Sequence, residues 1–287
     1  MAMTDAIRSY EQIVFSGGGI RCFWHGGWMR AVERVAQFRP ERVTGVSGGA
    51  LSAAAWIGDR ERDLVAIMAD AFRGEDSNLT AADLGHDKPG RTPHQRVYRK
   101  VVEALVSASA RAAIAEGPSF QILLGRPVGG ALTQAMAILA GTAYELEKRL
   151  HSRPRSALPD LIGMESDLID ARQASRDGRL TDLICAAAAI SPVFRIPDWD
   201  GRPACDGAMV DQIPLPEPDR GQTLLLLSRT YDTLPEDTDR LHHVTPSEKP
   251  VDGKIDFTEP AKVERAWRLG EKDGRLWLRT VASNIPD

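Results

Sequence analysis

The sequence predicts an α/β fold with a mostly parallel central sheet, and three observations carry that expectation. Strand-like and helix-like segments alternate from residue 11 to residue 57. The same texture returns after residue 160 and includes the apolar run TLLLLS at 223–228. The composition, 43% hydrophobic and 26% charged over 287 residues, is that of a globular chain able to bury a sizeable core.

In chain order, residues 11–16 (EQIVFS) read as a short buried strand, followed by three glycines. Residues 24–37 (WHGGWMRAVERVAQ) read as a helix, with Trp28, Val32 and Val35 on one face. Residues 42–46 (RVTGV) form a second strand, and the alanine-rich residues 48–57 (GGALSAAAWI) a helix that packs closely on a sheet. Residues 160–167 (DLIGMESD) are expected as a strand, 180–190 as a helix ended at Pro192, 201–210 as a turn-rich element and 223–228 as a buried strand. Residues 260–269 complete the helices with Gly270 just past the end, and RLWLRTV at 275–281 reads as a final strand.

Residues 75–155 differ in texture. Loop-like GHDKPGRTPH stands beside apolar helical stretches such as VVEALVSASARAAIAE and GGALTQAMAILAGTAYELEKRL. They read either as an insertion with its own helices or as a lid or lipid-contacting cap. With no linker of low complexity and no repeat, residues 1–287 are expected to form a single domain that carries this helical insertion.

Bulk properties exclude several classes. A net charge of −4 gives no basic field for nucleic acid. Cys22, Cys185 and Cys205 are too few and too scattered for a disulfide framework or a zinc site, and read as reduced, buried cysteines of a cytoplasmic protein. No acidic loop has calcium-binding spacing, so no metal or other cofactor is expected. The polar start MAMTDAIRSYEQ lacks the apolar core of a signal peptide, and no run of 18 apolar residues occurs, so membrane contact is expected to be peripheral.

Two glycine-rich turns carry the chemistry. In FSGGGIRCFWHGG, the bare backbone of Gly17, Gly18 and Gly19 lies between a strand and a helix start. Successive N–H groups and the positive end of the helix can there converge on one anionic oxygen. Arg21 either holds the loop or adds positive charge. The stretch lacks the GK[ST] of a Walker loop, and Cys22 stands where a dinucleotide fingerprint needs glycine, although a plain tight turn remains an alternative. In TGVSGGALSAAAW, Gly45-Val46-Ser47-Gly48-Gly49 is a G-x-S-x-G sequence at a strand-to-helix junction, the setting that exposes a serine hydroxyl. A glycine-rich junction without chemistry is the alternative. Parallel strands joined by a right-handed crossover bring both turns to one edge of the sheet.

The serine needs a base. His242 and His243 follow the TLLLLS strand in the chain order of a Ser–Asp–His triad, whereas His25, in the first helix, reads as structural and His86, His94 and His151 fall in the variable middle. The other candidate is Asp206, which precedes Gly207 and could present a carboxylate to the serine or simply cap its own turn.

GGGIRCFWHGG resembles the G-G-G-x-R-G-x-x-H-x-G motif of the patatin-like phospholipases, and GVSGGALSAAAW resembles their nucleophile elbow. CAAAAISPVFRIP and GRPACDGAMVDQIPLP are similar to their closing segment. The motifs occur in family order and cover roughly residues 11–58 and 160–228. The resemblance implies a patatin-like three-layer α/β/α fold and a Ser–Asp dyad, with Ser47 as nucleophile and Asp206 as base. It further implies an oxyanion hole of the Gly17, Gly18 and Gly19 amides, supported by Arg21 and Gly48, and a phospholipid or lysophospholipid substrate. Cys22 in place of glycine and Asp211-Gln212 in place of an asparagine-containing pair depart from the pattern. A histidine-based esterase and a silent module that binds lipid or phosphate are the competing expectations.

Overall fold

The computed structural model describes residues 2–73, 93–127, 154–155, 164–190, 194–234, 238–252 and 259–283. The first half comprises α1 (Ala2–Arg8), β1 (Gln12–Phe15), a 3₁₀ turn (Gly19–Cys22), α2 (Phe23–Val32), β2 (Arg42–Val46), α3 (Gly48–Ile57), α4 (Glu61–Phe72), α5 (Pro93–Leu105), α6 (Ala108–Glu116) and β3 (Ser119–Arg126). The second half comprises β4 (Glu165–Asp170), α7 (Ala171–Arg176), α8 (Leu180–Ala187) and the short strands β5 (Asp198–Trp199), β6 (Arg202–Pro203) and β7 (Cys205–Asp206). A 3₁₀ turn (Gly207–Met209), β8 (Thr223–Leu226), β9 (Leu241–Val244) and α9 (Pro260–Ser283) complete it.

The central sheet runs β4–β3–β2–β1–β8–β9, with β7 pairing β3 off this path, and β5 and β6 form a separate hairpin. Pairing is parallel from β3 through β2, β1 and β8 to β9. β4 and β7 run antiparallel to β3. The architecture is therefore α/β with a mostly parallel sheet flanked by helices, as the sequence predicts. Strand alternation divides the core between two faces. Ile13, Phe15, Val43, Phe120, Ile122, Leu224 and Leu226 join the large cluster that also takes in the helices. Val14, Leu225 and Leu227 point the other way, onto Ile213 and Tyr231.

Four expectations change in the details. Helix α2 stops at Val32, so Val35 lies beyond it and is 47% exposed. The strand expected at 160–167 is β4 at Glu165–Asp170, and residues 160–163 lie outside the described residues. Helix α8 ends at Ala187, earlier than expected, and Pro192 also lies outside the described residues. The segment RLWLRTV is not a strand: α9 continues through Gly270 and Gly274 to Ser283. The glycines do not end the helix because they serve a close crossing with α2. A Cβ at Gly270 would lie 2.1 Å from the Trp24 carbonyl oxygen, and one at Gly27 would lie 2.0 Å from that of Trp267. Backbone contact of this kind brings Trp24, Trp28 and Trp277 into one aromatic cluster.

Part of the span expected as an insertion belongs to the main sheet. β3 lies between β2 and β4, and Phe120, Ile122 and Leu124 are fully buried. Its eight residues, SFQILLGR, were masked in the sequence by the helical texture on either side. The α5 and α6 stretch is helical as expected, whereas 74–92 and 128–153, including GGALTQAMAILAGTAYELEKRL, lie outside the described residues. Among the described residues, no helix is long and apolar enough to cross a membrane.

Candidate active site

Strand β2 ends at Val46, which faces Leu123 of β3. The next residue of β3, Leu124, faces Asp206 of β7. On its other flank Leu124 already faces Asp167 of β4, so β7 occupies the flank that β2 has just vacated. The residue leaving β2 and the residue closing β7 are therefore neighbours. Ser47 Oγ donates to Asp206 Oδ2 at 2.6 Å, with the two residues only 6% and 2% exposed.

Ser47 has φ 55° and ψ −131°, a conformation that costs a non-glycine residue about 1–3 kcal/mol. The surroundings enforce it. A Cβ at Gly45 would lie 2.7 Å from Ala50 Cα, and one at Gly49 would lie 2.3 Å from the Phe15 carbonyl oxygen. Strand, turn and helix thus touch backbone to backbone. A serine at a helix N-cap ordinarily turns its hydroxyl onto the first-turn amides. Ser47 makes no such bond to α3 and donates a hydrogen bond to Asp206 instead.

Asp206 uses its two oxygens differently. Oδ1 accepts from the Ala208 amide at 2.8 Å, which is the turn cap foreseen for an Asp-Gly pair, and Oδ2 accepts from Ser47. The capping and serine-facing readings of this residue both hold geometrically. A Cβ at Gly207 would lie 2.6 Å from the Leu123 carbonyl oxygen, so only glycine lets the turn approach β3. Arg126, 4% exposed, fixes the approach from below: it pairs with Asp167 at 2.7 Å and donates to the Trp199 carbonyl at 3.1 Å.

The glycine loop runs alongside. Gly17 donates its amide to the Gln212 carbonyl at 3.2 Å, while its own carbonyl accepts from Ser228 Oγ. Among the described residues, the amides of Gly18 and Gly19 meet no acceptor. Gly19 adopts φ 59°, and its carbonyl oxygen would lie 2.5 Å from a Cβ at Gly48. The loop therefore abuts the first residue of α3. Of the three amides expected to be available together, Gly18 and Gly19 are open and Gly17 is engaged.

Arg21 serves the loop as a tether. Its Nε donates to the Val251 carbonyl at 3.2 Å, and burial, with Arg229 nearby, lowers its pKa. Cys22, buried at the departure from the family motif, donates to the Ser16 carbonyl at 3.4 Å and packs between Gly18 and Gly48. Cys205 is buried next to Asp206, and that burial pushes its thiol pKa up. Asp211 pairs with Arg155 at 3.0 Å, although burial still raises its pKa. Gln212 donates its side-chain amide to the Ala208 carbonyl at 2.8 Å, which ties the Asp206 turn to the glycine loop.

The structure does not bring the histidine candidates to Ser47. His242 lies on β9 with Nδ1 2.9 Å from the Tyr10 hydroxyl, and His243 faces Leu225 in the same strand pair. His25 is fully buried between Phe15 and Trp24, and burial lowers its pKa to about 3. His94 is buried in α5, while His86 and His151 lie outside the described residues. Ser228, Gln212 and Arg126 are the supporting residues that sequence reasoning missed. A serine ending an apolar strand is the only trace of the first, Gln212 is marked only as a departure from the family pattern, and Arg126 stands in no motif.

A cavity of about 640 Å³ opens at the opposite edge of the sheet, where Phe38, Trp56, Glu61 and Pro118 line it. Phe38 and Pro118 precede β2 and β3, Trp56 lies at the end of α3 and Glu61 opens α4, so the cavity is remote from Ser47. There the Trp56 indole donates to Glu33 Oε2 at 3.1 Å. Burial first, and repulsion from Glu33 and Asp59 after it, raise the pKa of Glu61 to about 7.

Residues 13–219 match the family model described as patatin-like phospholipase. Among solved structures, the chain is similar to VipD from Legionella pneumophila at 10% identity, with a TM-score of 0.43, over 95% of this chain and 67% of that one. It is similar to the type III effector protein ExoU at 12% identity, with a TM-score of 0.37, over 95% of this chain and 53% of that one. No curated protein matches the chain.

Proposed function

Because the chain belongs to the patatin-like phospholipase family, we propose that it is a serine-dependent lipid acyl hydrolase that cleaves fatty-acyl esters of phospholipids or lysophospholipids through Ser47 and Asp206. The observation that carries this reading is the 2.6 Å hydrogen bond from Ser47 Oγ to Asp206 Oδ2 at a strained strand-to-helix turn.

In this mechanism Asp206 accepts the hydroxyl proton as Ser47 Oγ attacks the ester carbonyl carbon. The carbonyl oxygen becomes an anion beside the Gly18 and Gly19 amides and the N-terminus of α3, where fixed dipoles are already directed at it. Collapse breaks the ester bond, and Asp206 returns the proton to the departing alcohol. A water molecule then gives a proton to Asp206 as its oxygen attacks the acyl-serine, and collapse releases the fatty acid while Asp206 passes that proton to Ser47 Oγ, restoring both residues. Binding of the acyl chain at the membrane–water boundary falls to surfaces around this edge, with the protein acting as a cytoplasmic enzyme in peripheral contact with lipid.

The test is fatty-acid release from a panel of phospholipids and lysophospholipids in mixed micelles, comparing the wild type with Ser47→Ala. Release that depends on Ser47 is the expected result. Release that survives in Ser47→Ala removes the nucleophile from this reading. No release, together with a failure of Ser47 to react with a fluorophosphonate, points instead to a silent lipid-binding module.

A further inference from the structure

We propose that Ser228 is a positioning residue for this reaction, which turns the Gly17–Gly18 peptide so that the Gly18 N–H faces Ser47. The inference rests on the hydrolase reading above.

Ser228 follows β8 and is wholly buried. Its amide donates to Ser16 Oγ at 2.8 Å, which fixes the residue against the end of β1. Its own Oγ donates to the Gly17 carbonyl at 2.5 Å. In a trans peptide, the C=O and the following N–H point in opposite directions. Strand order then decides what that N–H faces. β1 lies between β8 and β2, so the glycine loop leaves β1 with Ser228 on one flank and Ser47 on the other. A carbonyl drawn towards the β8 flank sends the Gly18 N–H towards the β2 flank, where the ester oxygen would gain its charge.

Three further observations agree. The Gly18 amide meets no acceptor among the described residues, as a donor reserved for a transient anion requires. The preceding amide, that of Gly17, is held by the Gln212 carbonyl at 3.2 Å, so the loop is gripped on both sides of the Gly17 carbon. A Cβ at Gly18 would lie 2.2 Å from Ser228 Oγ, so glycine at 18 and a hydroxyl at 228 form a matched pair. The bond acts electronically as well, because a carbonyl that accepts a hydrogen bond makes the N–H of the same peptide a stronger donor.

Ser228→Ala tests the inference, with turnover expressed per Ser47 site titrated by a fluorophosphonate. The expected result is a fall in kcat of about 10- to 100-fold at nearly constant KM, since a misdirected donor fails only when charge develops. Phosphonylation of Ser47 slows in parallel, because the phosphoryl oxygen uses the same amide. Ser228→Cys keeps a weaker donor and falls between, and it replaces the alanine variant should that one not fold. An unchanged kcat per titrated site, with fewer sites or a lower Tm, assigns Ser228 to folding alone and overturns the inference. Absence of Ser47-dependent release by the wild type overturns the hydrolase reading and this inference with it. Wild-type release alongside undiminished Ser228→Ala turnover sinks the inference and leaves the reading standing.

Discussion

Asp206 faces Leu124 across the sheet, in the place that one more residue of β2 would have filled. The carboxylate is thereby held by strand pairing on one side and by the Ala208 amide on the other, and only Oδ2 remains for Ser47. Asp206→Asn keeps an oxygen for the Ala208 amide and removes the proton acceptor. Turnover is expected to fall by about 10³-fold or more, with Tm shifted by no more than a few degrees. Fatty-acid release and a thermal melt on the same preparation check this, and turnover within tenfold of wild type refutes the assigned base.

Gly49 and Gly201 separate two kinds of glycine. A Cβ at Gly49 meets the backbone oxygens of Phe15 and Ser16 at 2.3 and 2.4 Å, and neither can move without moving β1. Gly49→Ala is expected to cost about 1–3 kcal/mol and to abolish activity. Gly201 has φ +74° and open space around it, so Gly201→Ala should cost about 1 kcal/mol and leave turnover intact. Denaturant midpoints and activities of the two variants decide the matter.

Helix propensity alone says that Gly270→Ala should stabilise α9 by about 1 kcal/mol. The crossing with α2 reverses that sign, because the new Cβ would sit 2.1 Å from the Trp24 carbonyl oxygen. A lower denaturant midpoint for Gly270→Ala is expected, and a higher one would show that the two helices can separate freely.

His25 is expected to contribute to the loss of stability in acid. Burial holds its folded pKa at about 3, with a small opposing pull from the Leu226 backbone, against 6.5 when free. The unfolded chain therefore gains a proton that the folded one refuses, and stability is lost as pH falls from 6.5 towards 3. At pH 5 the loss from this group is about 2 kcal/mol. His25→Leu should flatten the Tm profile below pH 6.5, and an unaltered profile would place the acid sensitivity elsewhere.

Glu61 works in the opposite direction. Its folded pKa is about 7 against 4.5, so the folded state holds the extra proton and stability falls as pH rises through that window. The penalty levels off above pH 7 at no more than about 3.5 kcal/mol. Glu61→Gln should therefore raise Tm at pH 8 and change it little at pH 4.5. Equal Tm shifts at both pH values would refute the assignment.

The sequence disclosed the parts of the site that are punctuated by glycine. The three successive glycines, the G-x-S-x-G turn and Asp206-Gly207 were visible because backbone approaches this close leave no room for a side chain. The strands β1, β2 and β8 were legible as apolar runs between turn residues. What escaped depends on partners distant in sequence. β3 carries no mark that distinguishes SFQILLGR from the helices beside it, and its importance lies in touching β2, β4 and β7. RLWLRTV is expected as a strand, but it is helical, and Gly270 and Gly274 let α9 lie on α2. Ser228 and Gln212 act through bonds to Gly17; one ends an apolar strand and the other departs from the family pattern, but nothing local in the sequence shows those bonds.

The place of β7 has a consequence for synthesis. During synthesis Ser47 emerges well before its carboxylate partner, which comes 159 residues later and finds its position only against a finished β3. Ser228, which grips the glycine loop, comes later still. On the proposed mechanism, the growing chain therefore carries Ser47 without its base, and the serine is armed only once the second half of the fold has closed over the first.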